Sequence, residues 1–321
     1  MITNKVHIKL KNNWFLISLF TLFLISISNN FYQIKLFDKY EDSKKNPNKH
    51  LMINGDISDF WYEANLIDKE IQQGKNYLET GGEYRRPYLP SRIFYLFSYF
   101  FEKNLITDSG KVFIGTKKVL ILIFQSLFFY SALFALYRSI LKKIPRLNSQ
   151  IIILFLACEP TIFQYHSSFW SESIFFSLQL IILIFIFKNH YSISNLLLFG
   201  LILGIFYLQR SVSIFYILIV FTYFIIFIRE KILRNLFLIF TGFMIVLAFI
   251  GFHNYKRAGV FYVTSTQAKD GFYIYLAPEI LAKKHNINSK LALKDLQNKK
   301  VSWINENKLN IDKEIDRLRV Y

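Results

Sequence analysis

The sequence predicts an all-α membrane protein that crosses a bilayer about seven times and carries one large, helical, polar loop on the outer side. Three observations indicate this fold class. Apolar residues make up 53% of the 321-residue chain, and they are gathered in blocks close to the length of a membrane span. Lys and Arg residues are concentrated in every second short loop between these blocks. A long polar segment separates the first block from the rest.

The apolar blocks are interpreted as spanning helices. A span needs about 20 residues, because about 30 Å of hydrocarbon is crossed at about 1.5 Å per residue. Lipid offers the backbone no hydrogen-bond partners, so such blocks must be helical. The predicted spans lie at residues 14–28, 119–138, 150–165, 172–187, 195–209, 213–228 and 235–254. No small-residue cleavage pattern follows the first block, which is therefore interpreted as an uncleaved anchor.

The charges of the short loops set the predicted orientation. With the N-terminus inside, the inner segments hold ten Lys or Arg residues and one acid, Glu230, in segments 1–13, 139–149, 188–194 and 229–234. The short outer turns have little basic charge apart from Arg210. Cytoplasmic loops carry this excess of positive charge. The predicted regions are therefore a cytoplasmic N-terminus and first span at 1–33, an outer loop at 34–118, a helix bundle at 119–254 and an outer segment at 255–321.

The net charge of +17 does not indicate a nucleic-acid-binding protein. Phosphate binding requires basic residues on one soluble face, whereas here they punctuate the apolar blocks. The one cysteine, Cys158, excludes a disulfide within the chain. The sequence has no phosphate-binding glycine loop, dinucleotide fingerprint or zinc-spaced Cys and His set. Membrane lipids are the expected partners, and nucleic acid is not.

Two aspartates open the polar part of the outer loop. Asp56 and Asp59 lie three residues apart, a spacing that places them on one face of a helix. They could cap that helix, act as a general base, or hold a divalent metal ion through carboxylate oxygens. Further along this loop, residues 93–101 are apolar but too short to span, so they are interpreted as a helix lying in the membrane interface.

Arginines and prolines follow in the same loop. Arg85 and Arg86 stand beside Pro87 and Pro90, and the prolines predict an extended or turned backbone. The arginine side chains could extend toward lipid headgroups. They could also clamp phosphate oxygens, for which the planar guanidinium group is well suited.

Three more groups of residues lie at predicted outer ends of spans. Glu172 opens a span, where an acid is either functional or a partner of the helix dipole. Arg210 separates two apolar blocks, where it could meet a lipid phosphate. Lys256 and Arg257 follow the last span as either interfacial anchors or phosphate ligands. The spacing of Gly200 and Gly204 predicts close approach of two helices.

Taken in order, these features resemble the GT-C glycosyltransferases, the enzymes related to protein mannosyltransferases and to the aminoarabinose transferase of lipid A. The resemblance covers roughly residues 10–275. Its motifs are the acidic pair in the first outer loop, Arg86-Pro87-Tyr88-Leu89-Pro90, Pro160 with Ser171-Glu172, Leu208 to Ser211, and Asn254-Tyr255 with Gly259. Family enzymes commonly have more spans and a further helical region, and this chain stops earlier. We therefore expect the natural protein to continue beyond Tyr321.

The resemblance implies a hexosyltransferase-like enzyme in the bacterial inner membrane, with its large loop in the periplasm. It would transfer a sugar from a polyprenyl-phosphate-linked donor to a glycan, lipid or protein acceptor. Asp56 would deprotonate or orient the acceptor hydroxyl, with Asp59 as the alternative, and Glu172 would line the same pocket. The leaving lipid phosphate would be bound by the basic residues Arg85, Arg86, Arg210, Lys256 and Arg257. The resemblance implies no certain cofactor. If a divalent metal ion is bound, Asp56 and Asp59 would hold it.

Two alternatives remain open. A transporter or flippase of a lipid-linked saccharide would place ionisable residues and broken helices near the middle of the membrane. The charges of this chain gather at the outer boundary instead, which favours an enzyme. A non-catalytic membrane scaffold would bind a partner through the outer loop, and it would need no acidic pair facing a basic pocket.

Overall fold

A computed structural model describes residues 2–41, 56–81, 87–101, 118–166, 171–188, 191–228, 231–264 and 276–309. Every regular element in these ranges is a helix, which confirms the predicted all-α class for this part of the chain. The described α-helices are α1 Ile2–Glu41, α2 Asp56–Gln72, α3 Tyr88–Phe101, α4 Lys118–Ile140, α5 Arg146–Ala157, α6 Pro160–His166, α7 Ser171–Ile186, α8 Ile193–Gln209, α9 Ile214–Phe227, α10 Ile232–Ala258, α11 Ala277–His285 and α12 Ser289–Glu306. Single 3-10 turns lie at Tyr77–Glu79 and Ser211–Ser213.

Three of the described helices are long and apolar enough to cross a membrane, at Asn13–Tyr32 of α1, Ile121–Ile140 of α4 and Ile232–Ala258 of α10. Helices α5 and α6 are bent by 53° at a short break, and together they would form a fourth span. Helices α7, α8 and α9 are apolar but shorter. Each predicted block thus overlaps a described helix or helix pair, and the count of seven spans stays a prediction.

The chain divides into two compact units. The first comprises Met1–Asn65 and Leu89–Val246, and the second comprises Leu66–Tyr88 and Leu247–Tyr321. In the first unit, α4 packs against α1, α5, α6 and α7. Its core is aromatic and aliphatic, and the ring centroids of Phe15 and Tyr137 lie 4.2 Å apart. Many large apolar side chains on the outer helix faces remain exposed, as is expected of helices that meet lipid.

Helices α8 and α10 approach through glycines in the same unit. A Cβ on Gly200 would lie 2.1 Å from the carbonyl oxygen of Ile239, and one on Gly242 would lie 2.3 Å from that of Leu197. Only glycine leaves room for two helix backbones at this distance. The close approach predicted from the spacing of Gly200 and Gly204 is therefore confirmed.

A group of buried polar side chains joins α1, α4, α6 and α7, and we call Ser26, Asn30, Ser126, His166 and Ser173 the interhelical polar cluster. When the Asn30 amide is oriented so that both of its ends are satisfied, its nitrogen donates to the carbonyl oxygens of Ser26 and His166, at 3.2 and 3.1 Å, and its oxygen accepts from Ser126 Oγ at 3.1 Å. Ser26 Oγ and Ser126 Oγ are 3.2 Å apart, and His166 Nδ1 is 2.6 Å from Ser173 Oγ. Hydrogen bonds between helices hold such bundles together in lipid.

The second unit contains the C-terminal end of α10. Gly259 ends the helix at φ +72°, a conformation that favours glycine, and its N–H donates to the Tyr255 carbonyl oxygen at 2.8 Å. Asn254 Nδ2 then donates to the Tyr262 carbonyl oxygen at 2.5 Å. The chain after α10 is thereby folded back onto the helix. Helices α11 and α12 form a packed pair further along this unit.

Candidate functional site

The first unit brings two predicted site residues into contact. Arg210 follows the last residue of α8, and its guanidinium group donates to the carboxylate of Glu172 in the first turn of α7. We use the name Arg210 site for Ser171, Glu172, Gln209, Arg210 and Ser213. The side chain of Glu172 is 14% exposed and that of Arg210 is 31% exposed, so the ion pair is partly shielded from solvent.

Local backbone structure positions both charges. Arg210 is in an extended conformation, with φ −156° and ψ 126°, which ends α8 before the 3-10 turn Ser211–Ser213 begins. A cation at the C-terminal end of a helix and an anion in the first turn of another both interact favourably with the helix dipoles. The chain therefore places Arg210 and Glu172 where each is electrostatically stabilised before they pair.

Hydrogen bonds extend the ion pair into a network. Ser171 Oγ donates to Glu172 Oε2 at 3.1 Å. Gln209 Nε2 donates to the backbone carbonyl oxygen of Ser171 at 2.8 Å. Gln209, Ser171, Glu172 and Arg210 are thus linked continuously across the ends of α7 and α8, which fixes the orientation of the carboxylate and of the amide.

Aromatic rings lie beside this network. The Arg210 Cζ atom is 6.0 Å from the centroid of the Phe175 ring, within range of a cation–π interaction. Phe175 stacks on Phe206 with centroids 4.5 Å apart, and Tyr216 approaches both rings edge-on. The guanidinium group is therefore held between a carboxylate and an apolar ring, which lowers its hydration and strengthens its interaction with anions.

Two polar atoms of the Arg210 site find no hydrogen-bond partner among the described residues. Gln209 Oε1 and Ser213 Oγ are both buried, and neither is bonded to a group in this part of the chain. Most buried polar atoms in proteins are hydrogen-bonded. The site therefore combines a cation, a carboxylate, an unused acceptor and an unused hydroxyl group, a set that suits a ligand bearing an anion and hydroxyl groups.

The predicted acidic and arginine residues of the first outer loop lie largely outside the described residues. Helix α2 begins at Asp56, but the side chains of Asp56 and Asp59 are not described, and neither are Arg85 and Arg86. Their convergence with Glu172 on one pocket stays a prediction. Among the described side chains, no three His, Cys, Asp or Glu residues lie together as a metal site. A metal ion on Asp56 and Asp59 is thus neither supported nor opposed.

Lys256 and Arg257 belong to the second unit. The Lys256 Nζ atom lies 5.5 Å from the centroid of the Phe252 ring, and its side chain is exposed. Arg257 donates from Nη2 to the Tyr262 hydroxyl group at 2.5 Å and from Nη1 to the Gly81 carbonyl oxygen at 3.4 Å. Arg257 therefore orders the chain around the end of α10, a structural role, while Lys256 keeps its ammonium group at the surface.

The sequence did not single out Gln209 and Ser213 as functional residues. Their signal was present but weak, because both are polar residues at the ends of long apolar blocks, beside Arg210. The sequence also missed Ser26, Asn30 and Ser126 of the interhelical polar cluster. Isolated Ser and Asn residues within apolar blocks do not show which of them face one another.

We compared the chain with protein-family models, with curated proteins and with solved structures, and none of the three comparisons found a match. The resemblance to GT-C glycosyltransferases thus depends on the short sequence motifs alone. The geometry of the Arg210 site and the predicted topology are therefore the other grounds on which a function can be assigned.

Proposed function

We propose that this protein is a membrane glycosyltransferase of the GT-C type, which transfers a sugar from a polyprenyl-phosphate-linked donor to an acceptor at the outer face of the cell membrane. The observation that carries the proposal is the ion pair of Glu172 and Arg210 at adjoining ends of two apolar helices. A lipid-linked donor presents its phosphate at the level where apolar helices end. An arginine fixed at that depth can bind the phosphate without leaving the membrane interface.

The leaving lipid phosphate requires stabilisation of the charge that develops on it. A preorganised cation in a site of low hydration supplies this stabilisation, because it needs no reorganisation during the reaction. Arg210 meets both conditions, since Glu172 and Phe175 hold its guanidinium group in place. Arg85 and Arg86 are proposed to approach the same phosphate from the outer loop.

The acceptor hydroxyl requires a base or an orienting carboxylate. We assign this role to Asp56, with Asp59 as the alternative one turn further along α2. General-base catalysis typically contributes about 10²–10⁴-fold to a rate. Glu172 is assigned to the lining of the donor pocket, because its carboxylate is already bonded to Arg210 and to Ser171 Oγ.

The proposal is tested by sugar transfer in membranes that contain the protein. The donor is a radiolabelled polyprenyl-phosphate hexose, and the measurement is label transferred to the glycans, lipids and proteins of those membranes. Arg210→Gln should lower transfer by about 10²-fold or more, since it removes a cation from the developing phosphate charge. Asp56→Asn should lower transfer by about 10²-fold or more if Asp56 is the base.

Arg138→Gln is the matched control, because Arg138 lies in the last turn of α4, near the predicted inner side of the membrane, and its side chain is exposed. This variant should keep wild-type transfer. Full activity of Arg210→Gln would remove the principal support for the proposal. Full activity of Asp56→Asn with Asp59 intact would exclude Asp56 from the role of base.

A second candidate function is translocation of a lipid-linked saccharide. The 53° bend between α5 and α6 favours it, because transporters build their sites from broken helices. His166 ends α6 fully buried, and among the described residues its Nε2 atom has no hydrogen-bond partner. In proteoliposomes, a flippase would move a fluorescent polyprenyl-phosphate hexose between leaflets without sugar transfer, and His166→Leu would abolish that movement.

A further inference from the structure

Gln209 is the last residue of α8, and Ser213 ends the 3-10 turn that follows Arg210. Both side chains are fully buried, at 0% exposure, although the turn also carries Val212 at 49% exposure. Buried polar atoms without partners are uncommon in native proteins, and each calls for an explanation. Among the described residues, two such atoms belong to residues that precede and follow Arg210 in the sequence, the arginine that pairs with Glu172.

We infer that Gln209 Oε1 and Ser213 Oγ form a subsite for the hydroxyl groups of a sugar whose phosphate is bound by Arg210. This inference rests on the proposed function and assigns the recognition of the sugar to two residues. The Gln209 amide is already oriented, because its nitrogen donates to the Ser171 carbonyl oxygen at 2.8 Å. Its oxygen is therefore held in place as an unused acceptor.

The chemistry of the two atoms identifies the kind of ligand. An amide oxygen only accepts hydrogen bonds, so its partner must carry an O–H or N–H group. An ionised phosphate group has only acceptor oxygens, so the phosphate of a lipid without a sugar satisfies Arg210 and leaves Gln209 unsatisfied. A sugar hydroxyl group can donate to Gln209 Oε1 and can also bond with Ser213 Oγ. A glycosyl phosphate carries both an anion and hydroxyl groups, the two kinds of group that Arg210 and the two buried polar atoms would bind.

The two buried atoms lie close in sequence to exposed positions. Arg210 is partly exposed, and Val212 is exposed on the 3-10 turn Ser211–Ser213. Because Gln209 and Ser213 are buried, the subsite requires this turn to move when a sugar ring enters. The bound sugar would then form hydrogen bonds with Gln209 Oε1 and Ser213 Oγ.

The experiment compares two ligands on the purified full chain in lipid nanodiscs. One is a short-chain polyprenyl-phosphate hexose, and the other is the same polyprenyl phosphate without the sugar. Gln209→Leu should weaken binding of the sugar-bearing lipid about tenfold, as expected for the loss of one hydrogen bond to an oriented acceptor, and should leave the bare lipid phosphate unchanged. Ser213→Ala, a milder change, should weaken the sugar-bearing lipid alone by several-fold. Arg210→Gln should weaken both lipids.

Gln150→Leu is the control substitution. Gln150 is also a buried glutamine, on α5, and its Nε2 donates to the Tyr137 hydroxyl group at 3.4 Å. This variant should bind both lipids as the wild type does. If neither Gln209→Leu nor Ser213→Ala discriminates between the two lipids, as when only water fills the two positions, the subsite is wrong while the phosphate role of Arg210 stands. If the wild type binds neither lipid, the proposed function fails and the subsite fails with it.

Discussion

The interhelical polar cluster and the Arg210 site are both buried and polar, yet they differ in how completely their hydrogen-bonding groups are used. In the cluster, both ends of the Asn30 amide and the hydroxyl groups of Ser26 and Ser126 are bonded, and His166 Nε2 is the one side-chain atom of the cluster that finds no partner among the described residues. In the Arg210 site, Gln209 Oε1 and Ser213 Oγ find no partner among the described residues, beside an ion pair. A buried amide that is bonded at both ends stabilises a fold, whereas an amide with an unbonded oxygen at a helix end is better explained by a ligand.

The first prediction concerns the side of the membrane on which the Arg210 site lies, and its expected outcome is all-or-none. In a Cys158→Ser background, an impermeant thiol reagent applied to intact cells should label Val212→Cys and should not label Lys142→Cys. The positive-inside pattern predicts that residue 142 lies in the cytoplasm and the 210–213 turn outside. The background change is needed because Cys158 is exposed.

Labelling of Lys142→Cys in intact cells, with lysed cells as the reference for full labelling, would invert the orientation. The Arg210 site would then face the cytoplasm, where a lipid-linked donor has no advantage over soluble nucleotide sugars. The difference in hydrogen bonding between the interhelical polar cluster and the Arg210 site would remain, but sugar transfer at the outer face would no longer explain it.

The second prediction breaks the ion pair. Arg210→Gln should lower the free energy of unfolding by about 2 kcal/mol, because it leaves the Glu172 carboxylate without its counter-ion; the expectation is below that for a fully buried pair, since Arg210 is 31% exposed. The double variant Glu172→Gln with Arg210→Gln should recover part of this loss. Thermal unfolding in detergent measures the double variant and both single variants, Arg210→Gln and Glu172→Gln, and strictly additive losses would show that the two residues are not coupled.

Sequence patterns predicted the helices better than the contacts between them. The described helices overlap all seven apolar blocks, because the absence of backbone partners in lipid leaves helix as the one local solution for such blocks. The predicted block at 150–165 is bent at Cys158 and Glu159, before Pro160. Because a proline cannot donate a helix hydrogen bond, it either kinks or breaks a helix. The sequence did not show which of the two occurs at Pro160.

The candidate site was predicted in part. Glu172 and Arg210 were both selected from the sequence because charges at the ends of apolar blocks are rare and costly. Their direct contact could not be deduced, since residues 172 and 210 are joined by two helices whose rotation about their axes is set by packing. Gln209 was overlooked for the same reason: its significance depends on an oxygen left without a partner, which is a property of the packed structure.

The third prediction tests the cluster as a structural element. Asn30→Leu keeps the approximate volume of the side chain but removes the amide, so Ser126 Oγ loses an acceptor and two carbonyl oxygens lose a donor. Hydrogen bonds between helices in membranes average about 0.6 kcal/mol each, so we expect a loss of about 1–2 kcal/mol in unfolding free energy. Binding of polyprenyl phosphate by the folded variant should be unchanged. A stable variant with weakened lipid binding would instead make the cluster part of the binding site.

The last and smallest effect is expected for the stability of Gln209→Leu in the absence of ligand. The substitution removes one hydrogen bond, from Nε2 to the Ser171 carbonyl oxygen, and at the same time removes the unpaired Oε1 atom. A net hydrogen bond contributes about 0.5–1.5 kcal/mol, while an unsatisfied buried group costs about 1–3 kcal/mol. The two terms nearly cancel, so the unfolding free energy should change by no more than about 0.5 kcal/mol or should rise.

Asn30→Leu provides the contrast within the same bundle, because it removes an amide whose nitrogen and oxygen are both hydrogen-bonded. A loss of 2 kcal/mol or more in Gln209→Leu, about the upper end of what a paired buried amide is worth, would mean that the Gln209 oxygen is already satisfied in the resting protein. Gln209 would then be a structural residue like Asn30, and the Arg210 site would no longer differ from the interhelical polar cluster in this respect.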